Sequence, residues 1–134
     1  MMDEGIVAER LEMHRRWLCK EAGGKAADFT NCDLYGVDLS GKDLRNANFR
    51  GAMLYGADMS GADLSCADLS YANMVGAKCG KASFKGADLR YSILDRADLE
   101  GADFSEADLR GTVLFGSSWE KANLAGADTS LTNF

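Results

Sequence analysis

The 134-residue chain is long enough for one domain, and 46% apolar with 27% charged residues fits a folded protein. The formal net charge of −6 disfavours direct binding to nucleic acid, and no run of about 18 apolar residues is present to span a membrane. The first 25 residues lack an apolar stretch before a small-residue cleavage site. We therefore expect a cytoplasmic protein without membrane association.

Cysteine and histidine usage predicts neither a metal site nor a cofactor site. The four cysteines form no C-x-x-C pair, and they are Cys19, Cys32, Cys66 and Cys79. Because His14 is the only histidine, a zinc site lacks ligands, and we expect four reduced thiols.

An amphipathic helix is predicted near the N-terminus. Within residues 6–22, four side chains recur at helical spacing: Val7, Leu11, His14 and Leu18. Gly23 and Gly24 predict the end of this helix. We expect residues 1–26 to form a capping helix and linker, with His14 packed in the cap, because solenoids must cover their terminal coils. A phosphate loop at the two glycines is the alternative, and the missing GK[ST] continuation argues against it.

From residue 27 onward, one five-residue word repeats without an insertion. Its centre, usually Leu or Phe, stands at Phe29 and every fifth residue to Phe134, and Ala stands two residues earlier in 15 of the 22 units. A period of five fits a short extended segment followed by a corner, and neither a helix nor a flat strand. The centre and the small residue then point inward, and the residues beside the centre point outward. Glycine at the last position in 11 of 21 complete units predicts the corners.

A second period of twenty predicts how many segments close one turn. Aromatic residues recur like for like at this spacing: Phe29 and Phe49, Tyr35 and Tyr55, Tyr71 and Tyr91, Phe84 and Phe104. A spacing of fifteen gives only mixed pairs. We therefore expect four segments per turn.

The word A-[D/N]-L-x-x resembles the motif of the pentapeptide repeat family over residues 27–134. The resemblance implies an all-β solenoid, a right-handed quadrilateral parallel β-helix of about five coils, to which the predicted α-helix adds an N-terminal cap. At a strand spacing of about 4.8 Å the coils make a rod about 26 Å long. Lys42 departs from the pattern at an inward position, and we expect it to snorkel out through a corner or to sit at a local distortion.

One of the four faces is predicted to be apolar. On the face centred on Leu34 and every twentieth residue after it, seven of eleven outward positions are apolar, against one of 32 on the other faces. We name these seven and three corner neighbours the apolar stripe: Tyr35, Met53, Tyr55, Val75, Ile93, Val113, Phe115, Tyr71, Tyr91 and Leu131. Such a patch marks an interface on a small soluble protein. We expect it to bind a protein partner or a second copy, unless the N-terminal segment folds over part of it.

The far end of the solenoid offers a second place for self-association. The chain reaches Phe134, a centre position, with no helix after it. We expect an uncapped last coil that frays or forms a homodimer, and the family resemblance implies that end-to-end dimers occur.

The resemblance also implies an alternative function, in which the protein mimics duplex DNA and modulates a type II topoisomerase. The number and arrangement of charges bear on this alternative. Duplex DNA carries about 15 charges over about 26 Å, whereas this chain offers six net. A row of basic residues, Arg50, Arg90 and Arg110, is interleaved with aspartates. The carboxylates recur without a unique site, so we expect no enzyme, and the leading prediction is a non-enzymatic protein-interaction scaffold.

Overall fold

The structure, a computed structural model, describes residues 1–134. It contains one helix, α1, from Glu4 to Leu18, and a coil of short segments from residue 27 to the last residue. The helix α1 lacks both the length and the apolar composition needed to cross a membrane.

Parallel β-bridges join residues twenty positions apart throughout the coil, from Asp28 with Asn48 to Val113 with Asn133. This spacing confirms four segments per turn. Three hydrogen bonds per segment connect neighbouring coils, as where the Phe29 N–H donates to the Asn48 carbonyl at 2.7 Å. The right-handed sense of the coil stays a prediction.

The extended part of each segment is shorter than a regular β-strand. One bridge residue precedes each centre, and a two-residue turn follows it, so no longer strand forms. The reason is the corner at every fifth residue. At all 21 corners φ is positive, and ten of these corners carry residues other than glycine.

The inward residues form a continuous core, as the sequence predicts. Stacked rings join adjacent coils, with centroids 5.1 Å apart for Phe29 and Phe49 and 4.9 Å for Phe84 and Phe104. Two polar exceptions at the small-residue position are satisfied, because the hydroxyls of Ser92 and Thr112 both donate to one backbone carbonyl at 2.7 Å. No buried side-chain nitrogen or oxygen lacks a hydrogen-bond partner.

The side chain of Lys42 snorkels out of the core, which was the first of the two predicted alternatives. Its backbone keeps the regular bonds, donating to the Leu39 carbonyl and accepting from the Asp63 N–H, while its side chain is exposed. The lysine therefore leaves the core position without distorting the coil.

The helix α1 lies over the first coil and hydrogen-bonds to that coil's free edge. Asp3 caps its N-terminus by accepting from two backbone N–H groups. Arg10 donates to the Asp28 carbonyl at 2.7 Å, and the ring of His14 lies between the Ala27 N–H and the Arg45 carbonyl. These contacts satisfy backbone groups that have no preceding coil to pair with.

The predicted end of the helix is wrong by several residues. The helix ends at Leu18, where Cys19 and Lys20 close it, and Lys20 takes the left-handed conformation expected of a glycine. Gly24 has a different role, because a side chain there would collide with the backbone of Trp17. Close packing of the linker against α1, rather than helix termination, therefore requires that glycine.

Candidate protein-binding face

The apolar stripe lies on the surface along the full length of the coil. Eight of its ten side chains are exposed, from 37% at Ile93 to 77% at Leu131, and Val75 and Val113 are half-buried. The structure contains thirteen exposed large apolar side chains, and the other five lie in the cap or at the far end of the rod. The sequence-predicted stripe is therefore the main exposed apolar surface of the coil.

The aromatic members of the stripe stack between coils. The ring centroids of Tyr35 and Tyr55 are 5.5 Å apart with planes 9° apart, and those of Tyr71 and Tyr91 are 5.4 Å apart. Stacking holds these rings in fixed positions, so less side-chain freedom remains to be lost when a partner binds.

Three members of the stripe stand at corners where a large side chain is costly. Tyr71, Tyr91 and Leu131 have φ near +60°, a conformation that disfavours residues with a Cβ by about 1–2 kcal/mol. Gly111 follows Tyr91 on the same corner, and a Cβ there would lie 2.5 Å from the tyrosine ring. Seven other corners also carry residues other than glycine, so this strain is not confined to the stripe.

The N-terminal segment packs against the first coil of the stripe face and leaves the stripe exposed. The N-terminal ammonium group meets the Asp33 carboxylate at 3.0 Å, and the Met2 N–H donates to the Asp33 carbonyl at 2.7 Å. The segment thus reaches only the first coil, where Tyr35 remains 57% exposed.

Charge is sparse on the face that carries the stripe. Asp33 and Asp95 are its only charged outward residues. Asp33 pairs with the N-terminal ammonium group and accepts a hydrogen bond from the Tyr35 N–H. Both contacts hold the pKa of its carboxyl below the usual range. Asp95 accepts from the Phe115 N–H of the next coil at 3.1 Å. Each carboxylate of this face therefore has a partner within the chain.

The neighbouring face, centred on Phe29, carries a ladder of alternating charges. Arg90 and Arg110 each pair with their own aspartate at 2.7 Å and 2.6 Å, and each lies within 4 Å of the aspartate of the next coil. Hydrogen bonds from these arginines lower the pKa of Asp88 and of Asp108. Aspartates therefore neutralise Arg90 and Arg110 of this basic row.

Arg50 differs from the other two arginines of the row. It forms no salt bridge; its guanidinium donates to the Ser70 hydroxyl at 3.0 Å and lies 4.7 Å from the ring centre of Tyr71. The stripe therefore has one cation at its edge, held by an aromatic member of the stripe.

The side chains that could take part in catalysis or metal binding are buried or do not cluster. His14 is fully buried; desolvation lowers its pKa, and its two ring nitrogens are engaged by backbone groups. Cys79 lies in the core, where burial raises the pKa of its thiol. No group of three His, Cys, Asp or Glu side chains is placed to hold a metal ion, and the expected absence of metals and cofactors stays a prediction.

Sequence reasoning missed two exposed aromatics at the far end of the rod. Trp119 and Phe134 occupy centre positions, which the word places inside, but they are 42% and 48% exposed with ring centroids 4.9 Å apart. They border an apolar cleft with Leu99, Leu114 and Leu124. The signal was available, because no later coil covers centres in the last turn.

Comparison with known proteins agrees with this architecture. The family profile described as pentapeptide repeats matches eight copies, over residues 27–65, 43–78, 62–101, 82–118 and 102–134. These ranges together cover the entire coil and none of α1. A comparison with curated proteins found no match.

Solved structures of similar sequence are pentapeptide repeat proteins. One, from the thylakoid lumen of Arabidopsis thaliana, is 34% identical over 70% of this chain, with a TM-score of 0.45, and this chain spans 62% of it. Another, from Nostoc PCC 7120, is 26% identical, covers 88% of this chain and 94% of its own, and has a TM-score of 0.45. QnrB1, a plasmid-mediated fluoroquinolone resistance protein, is 23% identical over 82% of this chain and 72% of its own, with a TM-score of 0.42.

Proposed function

This chain belongs to the pentapeptide repeat family, and we propose that it acts as a non-enzymatic protein-interaction scaffold whose apolar stripe binds protein. The observation that carries the proposal is the concentration of exposed large apolar side chains on one face and its adjoining corner. Apolar patches of several hundred Å² on small monomers mark interaction surfaces. We also propose the cytoplasm as its location.

The stripe is costly to maintain, which supports selection for binding rather than for folding. Exposed apolar residues contribute nothing to the core, and Tyr71 and Tyr91 add strain at their corners. Of the 21 corners, eleven carry glycine and ten do not, so this strain is shared with seven corners away from the stripe. The proposal therefore rests on the exposed apolar side chains, which concentrate on the stripe.

A catalytic role lacks a suitable site on this rod. Catalysis needs a nucleophile and a base that converge in a concave pocket. Grooves flank α1 and another lies beside Trp119, and no histidine lines any of them. His14 is buried away from them with both ring nitrogens occupied. We therefore propose a function that rests on binding alone.

Mimicry of DNA, the alternative prediction, is not favoured by the charge pattern. A duplex presents continuous rows of unpaired negative charge, whereas Arg90 and Arg110 interrupt the aspartate row of their face at salt-bridge distance. A supercoiling assay checks this alternative. We expect neither inhibition of a type II topoisomerase nor rescue from a quinolone at micromolar protein.

A photo-crosslinking amino acid in place of Tyr55 tests the scaffold proposal. In its native cells this variant should form a specific adduct with protein, either with a second copy or with another chain. The matched control carries the same crosslinker in place of Lys85, an exposed residue of the opposite face. If the Tyr55 position yields no protein adduct above the Lys85 control, the stripe is not a binding surface and the proposal fails.

A further inference from the structure

We propose that the apolar stripe is a self-association surface, through which two copies of this chain pack face to face as a two-fold dimer. The inference rests on the proposed function and commits it to one partner, a second copy of the chain. Contact of a patch with the same patch closes at two subunits, because each copy carries a single stripe.

The area of the stripe matches what a stable dimer needs. At about 200 Å² for a fully exposed large apolar side chain, its eight exposed members present about 800 Å². A standard interface buries about 800 Å² on each partner, roughly a tenth of the surface of a small protein. The stripe therefore supplies the apolar part of an ordinary dimer interface without any help from the cap.

The charge pattern favours this face over the acidic face centred on Leu39 for self-contact. Two copies that meet through identical surfaces place like charges near one another. The stripe face holds two carboxylates, each already engaged by a group of its own chain. The face centred on Leu39, by contrast, carries mostly acidic residues: Asp38, Asp58, Asp98, Glu100 and Glu120, with Lys78 as the exception. All of these carboxylates except the half-buried Asp58 are exposed. Contact through the stripe avoids this repulsion.

The shape of the stripe suits a flat contact. Each outward residue sits one coil above its counterpart, so the stacked tyrosine pairs form parallel rows along the rod. Val75 stands on the middle coil of five, with Tyr35 and Tyr55 on one side and Phe115 on the other. Apolar surface is thus present at both ends of the stripe, so two copies can meet along its whole length.

Light scattering across a dilution series from about 1 mM to about 1 μM is the test. Wild type should show twice the 14.4 kDa of one chain at the upper end. Tyr55→Asp with Ile93→Asp should weaken the dimer by at least about 100-fold, because two desolvated charges enter the interface. Ser65→Asp with Ser105→Asp adds the same two charges to the opposite face and should leave the mass unchanged. Circular dichroism checks that both variants remain folded.

A third variant separates the stripe from the open end of the rod. Phe134→Asp charges the exposed aromatic pair there and should leave the dimer intact. Wild type that stays at 14.4 kDa throughout would overturn the inference, as would a dimer that Phe134→Asp dissociates and the stripe variant does not. A monomer whose Tyr55 crosslinker still captures another protein would refute self-association alone and leave the scaffold proposal standing.

Discussion

The apolar face and the opposite face share one backbone and one core and differ only in what they present to solvent. Behind the first stand buried Leu54 and Ala72, and behind the second stand buried Leu64 and Ala82. Outward, the first shows tyrosine, methionine and isoleucine, while the second shows serine, aspartate and lysine. Both faces make the same bridges at a spacing of twenty.

Folding and the proposed binding depend on different positions of the five-residue word. The centre and the small residue fill the core, the corner turns the chain, and Asp or Asn before most centres accepts from a backbone N–H of the turn. Both positions beside the centre point to solvent, and the position after the centre varies most, because the ladder bonds come from the backbone. We therefore expect inward substitutions to act alike on every face and outward substitutions to act differently.

The largest expected effect comes from inward substitutions, which should lower the unfolding free energy by similar amounts on both faces. Ala72→Leu and Ala82→Leu each add a larger side chain to a filled core and should each cost about 1–3 kcal/mol of unfolding free energy, or more. Urea unfolding measures both. A tolerated leucine at either site would contradict the assignment of inward positions.

The next effect concerns the cap, which both faces share. His14→Leu removes the hydrogen bonds to the Ala27 N–H and the Arg45 carbonyl and should cost about 1–3 kcal/mol. In wild type, burial lowers the pKa of His14, so the unfolded chain takes up a proton at higher pH than the folded chain. The stability it contributes is present above about pH 6.5 and is lost as the pH falls through the lower folded value.

The pH profile of thermal unfolding checks this direction. Asp43 and Arg45 are the charged groups nearest the imidazole, and the pKa of Asp43 is itself lowered by Arg45, so its contribution is lost only at more acidic pH. The slope just below pH 6.5 should therefore vanish in His14→Leu. An unchanged slope in that variant would show that another group titrates there.

Corner residues sharpen the comparison, because they test binding without disturbing the coil. Tyr71→Gly with Tyr91→Gly relieves about 1–2 kcal/mol of strain at each corner and loses ring stacking and the rigidity of a non-glycine residue. These terms oppose, so stability should change by about 1 kcal/mol or less while association weakens. The matched control, Lys81→Gly with Lys121→Gly, lies at corners away from the stripe and should leave association unchanged.

The smallest effect is expected for the charge ladder. Arg110→Ala removes its exposed pairs with Asp108 and Asp128, and exposed pairs of this kind contribute little to stability. Chemical unfolding at low and high salt measures the loss, which should shrink at high salt because ions screen the pairs. A larger loss that salt does not change would indicate packing of the arginine stem instead.

The coil was predictable from the sequence because its period is unusual and unbroken. The inward positions, the corners and the four segments per turn all follow from a word that only one kind of backbone path fits. The predicted end of α1 was wrong because more than one nearby residue can end a helix. Lys20 ends α1 earlier than Gly23 and Gly24 predicted, because the chain accepts a left-handed lysine there.

The candidate site was predictable as a set of residues but not as a set of contacts. The stripe follows from counting outward positions, whereas the bond of the N-terminal ammonium to Asp33 and the contact of Arg50 with Tyr71 depend on side-chain placement. The repeat word places Trp119 and Phe134 inside, so it does not express their exposure or their ring contact.

The most direct test of the binding face uses the two isoleucines of the chain, Ile6 in α1 and Ile93 in the stripe. Both are exposed, so their methyl groups, labelled with carbon-13, report on the cap and the stripe in one NMR spectrum. On dilution, the Ile93 signal should shift while the Ile6 signal stays fixed. A fixed Ile93 signal, or equal shifts at both sites, would contradict self-association through the stripe.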